Sequence, residues 1–441
     1  MKKIIITILL TFQVILAFAQ EQEKNSKIWS LEDCIAYAIK NNITVKQAQL
    51  TENSSEINYK QSKYERLPSI TANASQSMNN GSSIDPITSS YVTQLVHSTS
   101  AGVNASVTLF KGNYINNTIK QNELLVKQNE FFVSEAKNNV LLSVAQAYLQ
   151  ALYYKEGIEV SKNIIASSKE QLNQMNTKLK AGSVAGIDAA NLETQLKNDE
   201  VTLITVQNNY HQQLINLKQL LELNPEDSFD IVATKLTTEQ FAIPELKTVY
   251  NYASTNLPEI KSATIQTSIN ELELSKAKSG YLPTLSLNAG LNSGYTNTQS
   301  YNFLNQFDGN FYQSVGLSLS IPIFSKYQNK AKVENAKIEI ESSKLSVQSA
   351  NKQLYLKIES AWQNAISSQS QMEAAIALKN SSKLAYDMSL KKSELGALSS
   401  TDLLVSKNTY LNAEQTYLQA KLSLALYYQL LQFYQGNQIQ I

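Results

Sequence analysis

The sequence repeats itself once, and that repeat restricts the fold more than any other feature. Displacing the 441-residue chain by about 215 residues lays residues 31–41 over 246–256, and Leu67-Pro68-Ser69 over Leu282-Pro283-Thr284. With the offset reduced by one, residues 103–110 fall on 317–324, Ala147-Tyr148 on Ala361-Trp362, Gly182 on Gly396 and Asp188 on Asp402. A single one-residue slip across two halves of this length implies that both halves fold alike.

Each half reads as the same series of elements. A short helix opens it, at 31–41 and again from Leu246 to about Thr255. A second helix runs to the Leu-Pro pair and must stop there, because Pro68 and Pro283 have no N–H and push the preceding residue towards extended backbone. Two strands of period two follow. In the second half Leu285, Leu287, Ala289 and Leu291 alternate with Ser286, Asn288, Gly290 and Asn292, and Val315, Leu317, Leu319, Ile321 and Ile323 with Gly316, Ser318, Ser320 and Pro322. The first half shows Ile70, Ala72 and Ala74, then Val103, Ala105, Val107 and Leu109. This places strands at about 67–76 and 101–110, and at about 282–292 and 313–324. Long helices are expected over 113–180 and 326–395, and return helices over 187–222 and 400–434. The domain frame is a signal peptide at 1–19, a first repeat over 20–223, a linker at 224–245, a second repeat over 246–435 and a tail at 436–441.

The start of the chain is a targeting signal, not part of the fold. Lys2 and Lys3 precede an apolar run from Ile4 to Phe18, and Ala17-Phe18-Ala19 is a small-x-small cleavage site. No Cys stands there to carry a lipid, and no other apolar run approaches the length of a spanning helix. A net charge of +1 gives no electrostatic case for nucleic acid. The one cysteine, Cys34, falls opposite Val249 in the second repeat and reads as a small buried hydrophobe.

Two physical constraints follow. A helix as long as 113–180 would span roughly 100 Å, far more than a domain of this size is wide, so the helices must lie side by side in a bundle or tube. Val140, Val144, Ala147 and Ala151, matched by Leu354, Ile358, Ala361 and Ala365, have the 4-3-4 spacing of a heptad seam. The alternating strands suit an outer-membrane barrel, which must close because unpaired edges are intolerable in lipid. Four strands cannot close, so copies must share one barrel. Two copies would give about eight strands around a side-chain-filled interior, and three copies about twelve around water. Tyr64, Phe110, Tyr114, Tyr281, Phe324 and Tyr327 flank the strand bases as an interfacial girdle would.

The order helix, Leu-Pro, strand, loop, strand, Pro-x-Phe, long helix, Gly turn, return helix, performed twice over about residues 28–435, resembles the TolC-like outer-membrane efflux protein family. Ile321-Pro322-Ile323-Phe324-Ser325 resembles the family's strand-to-helix motif, so Pro68, Phe110, Pro283, Pro322 and Phe324 are expected at strand–helix junctions. Ala181-Gly182-Ser183-Val184 with Asp188, and Gly396 with Asp402-Leu403-Leu404, resemble its helix-turn motifs. The resemblance implies a mainly α fold in which three chains share a twelve-stranded β-barrel continuous with a twelve-helix periplasmic α-barrel. It implies a homotrimer in outer-membrane lipid, acting as a passive exit duct. The partners would be a periplasmic adaptor and an inner-membrane pump of RND, ABC or MFS type. The adaptor would meet the turns at Gly182, Ser183, Gly186, Gly396 and Ala397. The duplication makes these turns pseudo-equivalent, so a trimer would present six docking grooves. Asp188 and Asp402 fall where the family narrows its periplasmic aperture. Asp402 is open to two readings, a threefold carboxylate ring favouring cations, or a first-turn residue that complements the helix dipole and is spaced as a capping box from Ser399. The family's Tyr and Arg lock positions correspond here to Ser393 and Leu398, so the aperture must close by other means, such as Leu398 and apolar neighbours.

Enzyme chemistry has no foothold in the sequence. His97 and His211 show no paired ligand spacing, and there is no P-loop, GxSxG or HExxH, so no catalytic, cofactor or metal site is expected. The competing class is a secreted coiled-coil structural or adhesin protein. It accounts for heptads and export, but not for four alternating strands placed identically in two halves.

Overall fold

The computed structural model describes residues 28–233 and 242–439, so the signal peptide expected at 1–19 and part of the linker lie outside the described residues. The short helices are α1 (Leu31–Asn41), α2 (Ile43–Tyr64), α5 (Leu246–Asn256) and α6 (Pro258–Ser279). The long helices are α3 (Tyr114–Lys180) and α8 (Gln328–Glu394), with return helices α4 (Gly186–Leu221) and α9 (Ser400–Tyr434); α7 (Phe303–Gly309) is a short insert. Among the described residues no helix is long and apolar enough to cross a membrane.

The chain divides into two compact units. One takes residues up to Ala48, Val133–Leu257 and the residues from Asn351 on; the other takes Gln49–Phe132 and Pro258–Ala350. In the first unit the core is helical. Val144, Leu149, Ala151, Leu217 and Leu221 are among its fully enclosed residues, and Cys34 is buried with them. The heptad seam is observed in both halves, since Val140, Val144 and Ala151, like Leu354, Ile358, Ala361 and Ala365, are buried. Ser30 starts α1 with a capping box, its Oγ accepting from Asp33 N at 3.1 Å. Within the segment expected as linker, β6 (Asp230–Ile231) pairs in parallel with β1 (Ile28–Trp29). Lys155 Nζ donates to Asp230 Oδ1 at 3.0 Å and to Ile231 O at 2.6 Å, and Tyr210 donates its hydroxyl to the same carboxylate.

The second unit carries a four-stranded antiparallel sheet in the order β2 (Ser69–Asn79), β5 (Val96–Lys111), β7 (Thr284–Thr296), β8 (Tyr312–Ser320). The central β5–β7 pair joins a strand of each repeat, and one extra residue at Leu109 shifts its register so that Phe110 faces Leu285. Several strand bounds depart from expectation, and β2 and β7 run on to Asn79 and Thr296, past the expected 76 and 292. β5 begins well before residue 101. β8 ends at Ser320 although the alternation runs on through Ile323, because Pro322 has no N–H to donate to a ladder. Ile323 is 95 % exposed, beyond the sheet. The loops between the strands are not bare, for the first holds the small hairpin β3 (Ser82–Ile84) and β4 (Tyr91–Thr93), and the second holds α7.

Candidate functional site

The sheet has two unlike faces. On one, Phe110, Leu285 and Leu319 lie abreast; so do Val107, Leu287 and Leu317, and then Ala105, Ala289 and Val315. Among the described residues this face is covered only at its loop end, where Ser293 Oγ donates to Phe307 O of α7, and Val315 is 78 % exposed. The opposite face carries Thr108, Ser286 and Ser318 in one row and Ser106, Asn288 and Gly316 in the next. Hydroxyls and amides bond across it. Ser75 Oγ meets Ser100 Oγ at 2.8 Å, and Asn104 Nδ2 donates to Asn73 Oδ1 at 3.0 Å. From Ser286 to Gly290 its rows hold Ser, Thr, Asn and Gly, and the first ionisable side chain at its helix-bearing end is Lys111, abreast of Thr284 and Ser320. β2 and β8 are the open edges.

The junctions explain how strands become helices. Pro68 and Pro283 stand just before β2 and β7, and Pro322 and Phe324 just after β8. Gly112 and Asn113 both have left-handed backbone (φ 57° and 64°), and so do their repeat partners Lys326 and Tyr327 (φ 47° and 69°). Two such residues in succession reverse the chain into the helix. At Gly112 a side chain is also disfavoured by space, because a Cβ would sit 2.9 Å from Leu282 Cβ and 3.1 Å from Ser279 O. At Lys326 and Tyr327 the conformation is held despite side chains, a strain of about 1–2 kcal/mol each. Sequence reading found the Pro-x-Phe but not these residues, since neither Lys nor Tyr advertises positive φ. The flanking aromatics Tyr64, Phe110, Tyr281, Phe324 and Tyr327 are exposed; Tyr114 is half-buried beneath Lys111 and Lys276.

The two turns lie in the other unit. Gly182 and Gly396 are left-handed (φ 69° and 75°) and close each long helix the same way. Ser183 N donates to Lys178 O at 3.0 Å, and Ala397 N to Lys392 O at 2.8 Å. Gly186 is not part of the reversal but the first residue of α4. Gly182, Ser183, Gly186, Gly396 and Ala397 are all exposed.

The two aspartates, equivalent in sequence, are used differently. Asp402 is exposed and belongs to its own helix start. Its N–H donates to Ser399 Oγ at 3.1 Å, and the same hydroxyl donates to Asp402 Oδ2 at 2.7 Å. Asp188 is half-buried and accepts at 2.5 Å from Ser400 Oγ of the other return helix. Nearby, Lys178 Nζ donates to Ser393 O at 3.2 Å and Glu394 O at 2.9 Å, so an ammonium satisfies the last carbonyls of α8. Ser393 and Leu398 are half-buried. Lys178 and Ser400, which tie the two hairpins together, were missed from sequence, because neither pair has a fixed spacing along the chain.

Further along, Lys407, Asp199 and Ser168 form a closed polar node. Lys407 Nζ donates to Asp199 Oδ2 at 2.7 Å and to Ser168 Oγ at 2.5 Å, with Lys407 only 2 % exposed. Gln195 Nε2 satisfies Asp199 Oδ1 at 2.8 Å.

A family model described as outer membrane efflux protein matches residues 34–222 and 249–437, one match per repeat. The outer membrane protein TolC of Salmonella enteritidis is 22 % identical over 292 residues, 65 % of this chain and 58 % of that protein. The pyoverdine export outer membrane protein OpmQ of Pseudomonas aeruginosa is 23 % identical over 201 residues, 45 % of this chain and 40 % of its own length. The chain thus spans about half the length of the curated relatives it matches. The Campylobacter jejuni CmeC outer membrane channel has the same fold, with a TM-score of 0.80 at 20 % identity, over 96 % of this chain and 91 % of that one.

Proposed function

Because this chain belongs to the outer membrane efflux protein family, we propose that it is one subunit of a passive outer-membrane duct, through which an inner-membrane pump discharges cargo from the cell. The observation that carries this reading is the sheet. It leaves a broad apolar face uncovered, turns a polar face whose one charged row is that of Lys111 the other way, and ends in two open edges. In water such a face and such edges are a liability. In a shared barrel the apolar face meets lipid, the polar face lines water, and β8 of one copy pairs with β2 of the next. Three copies make about twelve strands, the smallest simple multiple that leaves an aqueous lumen.

In this reading residues 1–19 direct export, and the helical part lies in the periplasm. The turns at Gly182-Ser183 and Gly396-Ala397 receive a periplasmic adaptor, and the pump is of RND, ABC or MFS type. Leu398, Ser393, Asp188 and Asp402 border the aperture. The hydrogen bond from Ser400 to Asp188 and the Lys178 contacts, one of them to the Ser393 carbonyl, supply ties between the hairpins. The cap at Ser399 supports a helix-start role for Asp402 over a carboxylate ring.

The test is conductance. Detergent-purified assemblies should insert into a planar bilayer and carry stepwise ionic current. A water-soluble, non-conducting fibre would establish the coiled-coil alternative instead.

A further inference from the structure

We infer that Lys111 and Lys332, backed by Lys276, form a cationic collar at the foot of the sheet that favours anionic solutes. The inference rests on the duct reading given above. A groove of about 780 Å³ in the sheet-bearing unit is lined by these three lysines, by Ser279, Ser325 and Asn329, and by the carboxylates Glu273 and Glu339. Lysines therefore outnumber carboxylates.

The pairing is uneven. Lys276 is committed: its Nζ donates to Glu273 Oε2 at 2.8 Å and to Gln121 Oε1 at 2.8 Å. Lys111 and Lys332 are exposed, and neither stands in an ion pair among the described residues. The Lys111 ammonium lies 4.5 Å from the Tyr114 ring centre and the Lys276 ammonium 5.3 Å from the same ring, so two cations converge on one aromatic.

Register sets which way the collar faces. Lys111 is abreast of Thr284 and Ser320, in phase with the Ser, Thr and Asn rows and out of phase with Phe110, Leu285 and Leu319. It therefore belongs to the polar face, the one that would line the lumen. That face is otherwise uncharged, and within the groove Lys276 engages Glu273, which leaves Glu339 as the one lining carboxylate against Lys111 and Lys332. A ring of lysines around an aqueous passage attracts anions and repels cations, and opposing charges more than about 8 Å away are screened at physiological salt. The repeat partners of Lys111, Lys276 and Lys332 are Ser325, Gln61 and Thr118, so the cluster occurs once per chain and three times in a trimer. The solutes favoured are those bearing carboxylate or phosphate.

The test is the reversal potential of whole trimers in a planar bilayer under a KCl gradient. In Lys111→Gln/Lys332→Gln, the chloride-to-potassium permeability ratio should fall about twofold or more relative to the unsubstituted protein. An unchanged ratio overturns the collar. Inorganic pyrophosphate, added from the helical side, should reduce current through unsubstituted trimers. Absence of that block also overturns the collar, and this readout needs no variant to assemble. If unsubstituted trimers carry no current at all, it is the duct reading that fails.

Discussion

The return helices α4 and α9 occupy equivalent places in the two repeats, yet they are anchored by different chemistry. On α9 the positions 400, 407, 414 and 421 fall seven residues apart, as one heptad line. Ser400, Lys407 and Glu414 are buried, and each reaches another helix. Ser400 bonds Asp188, Lys407 bonds Asp199 and Ser168, and Glu414 accepts from Lys379 Nζ at 2.8 Å. Lys421 closes the line on Glu156 at 3.0 Å. The same line on α4 reads Gly186, Glu193, Glu200 and Gln207, none of them buried. The reverse holds elsewhere. Asp199 and Tyr210 give α4 its polar anchors, and their partners on α9, Ala413 and Leu424, are buried apolar groups. Duplication thus preserves element order while the inward-facing chemistry diverges. A buried ion pair adds little net stability, but it penalises any other pairing of the helices, which suits two hairpins that must not be confused.

The largest expected effect comes from removing one half of the buried node. Lys407→Met should cost about 3–5 kcal/mol by leaving Asp199 charged and enclosed, while its repeat counterpart Glu193→Gln, at an exposed site, should stay within about 0.5 kcal/mol. Denaturant unfolding in detergent, followed by helical circular dichroism, measures both. Equal costs would break the comparison.

The helix starts should differ by less. Ser399→Ala removes the cap of α9 and should cost about 1 kcal/mol, whereas α4 starts at Ala185 with no side-chain cap. Ala185→Ser should therefore raise stability by up to about 1 kcal/mol in the same assay. No gain there would mean that this helix start is satisfied in some other way.

The smallest effect is on acid stability. Burial tends to raise the Asp230 carboxyl, but hydrogen bonds from Tyr210 and Lys155 outweigh it and hold the group below its ordinary value of 3.8. A depressed folded-state value contributes stability that is fully present above the ordinary value and lost as pH falls through the folded one. Melting temperature followed from pH 7 down should fall less steeply at the acid end for Asp230→Asn than for the unsubstituted protein. Matching acid slopes would show that Asp230 contributes nothing to the anchoring of α4.

The features that could be read from sequence were those repeated at fixed spacing. Leu-Pro pairs, alternating strands, the heptad seams and the turn glycines Gly182 and Gly396 each have a local cause, and the structure carries them, although Ala147 is only half-buried in its seam and Gly186 lies within α4. What escaped depends on packing between distant segments. Lys407 and Asp199 are 208 positions apart, and a lysine in an amphipathic helix reads as surface. The left-handed pair Lys326-Tyr327 escaped because its side chains disfavour that backbone. Alternation carried the β8 expectation past Ser320 because a hydropathy pattern does not register the N–H that Pro322 lacks.

The central claim is that four strands per chain are completed only by neighbouring copies. Cys34, the chain's one cysteine, is buried, so introduced cysteines report without competition. Pairs drawn from Thr71 or Asn73 on β2 and Ser314 or Ser318 on β8 place one thiol on each open edge. Oxidation of membrane-extracted protein should give a ladder of covalent products that ends at three chains. A ladder that ends at two, one that runs on past three, or no intermolecular product from any pair would contradict the shared barrel.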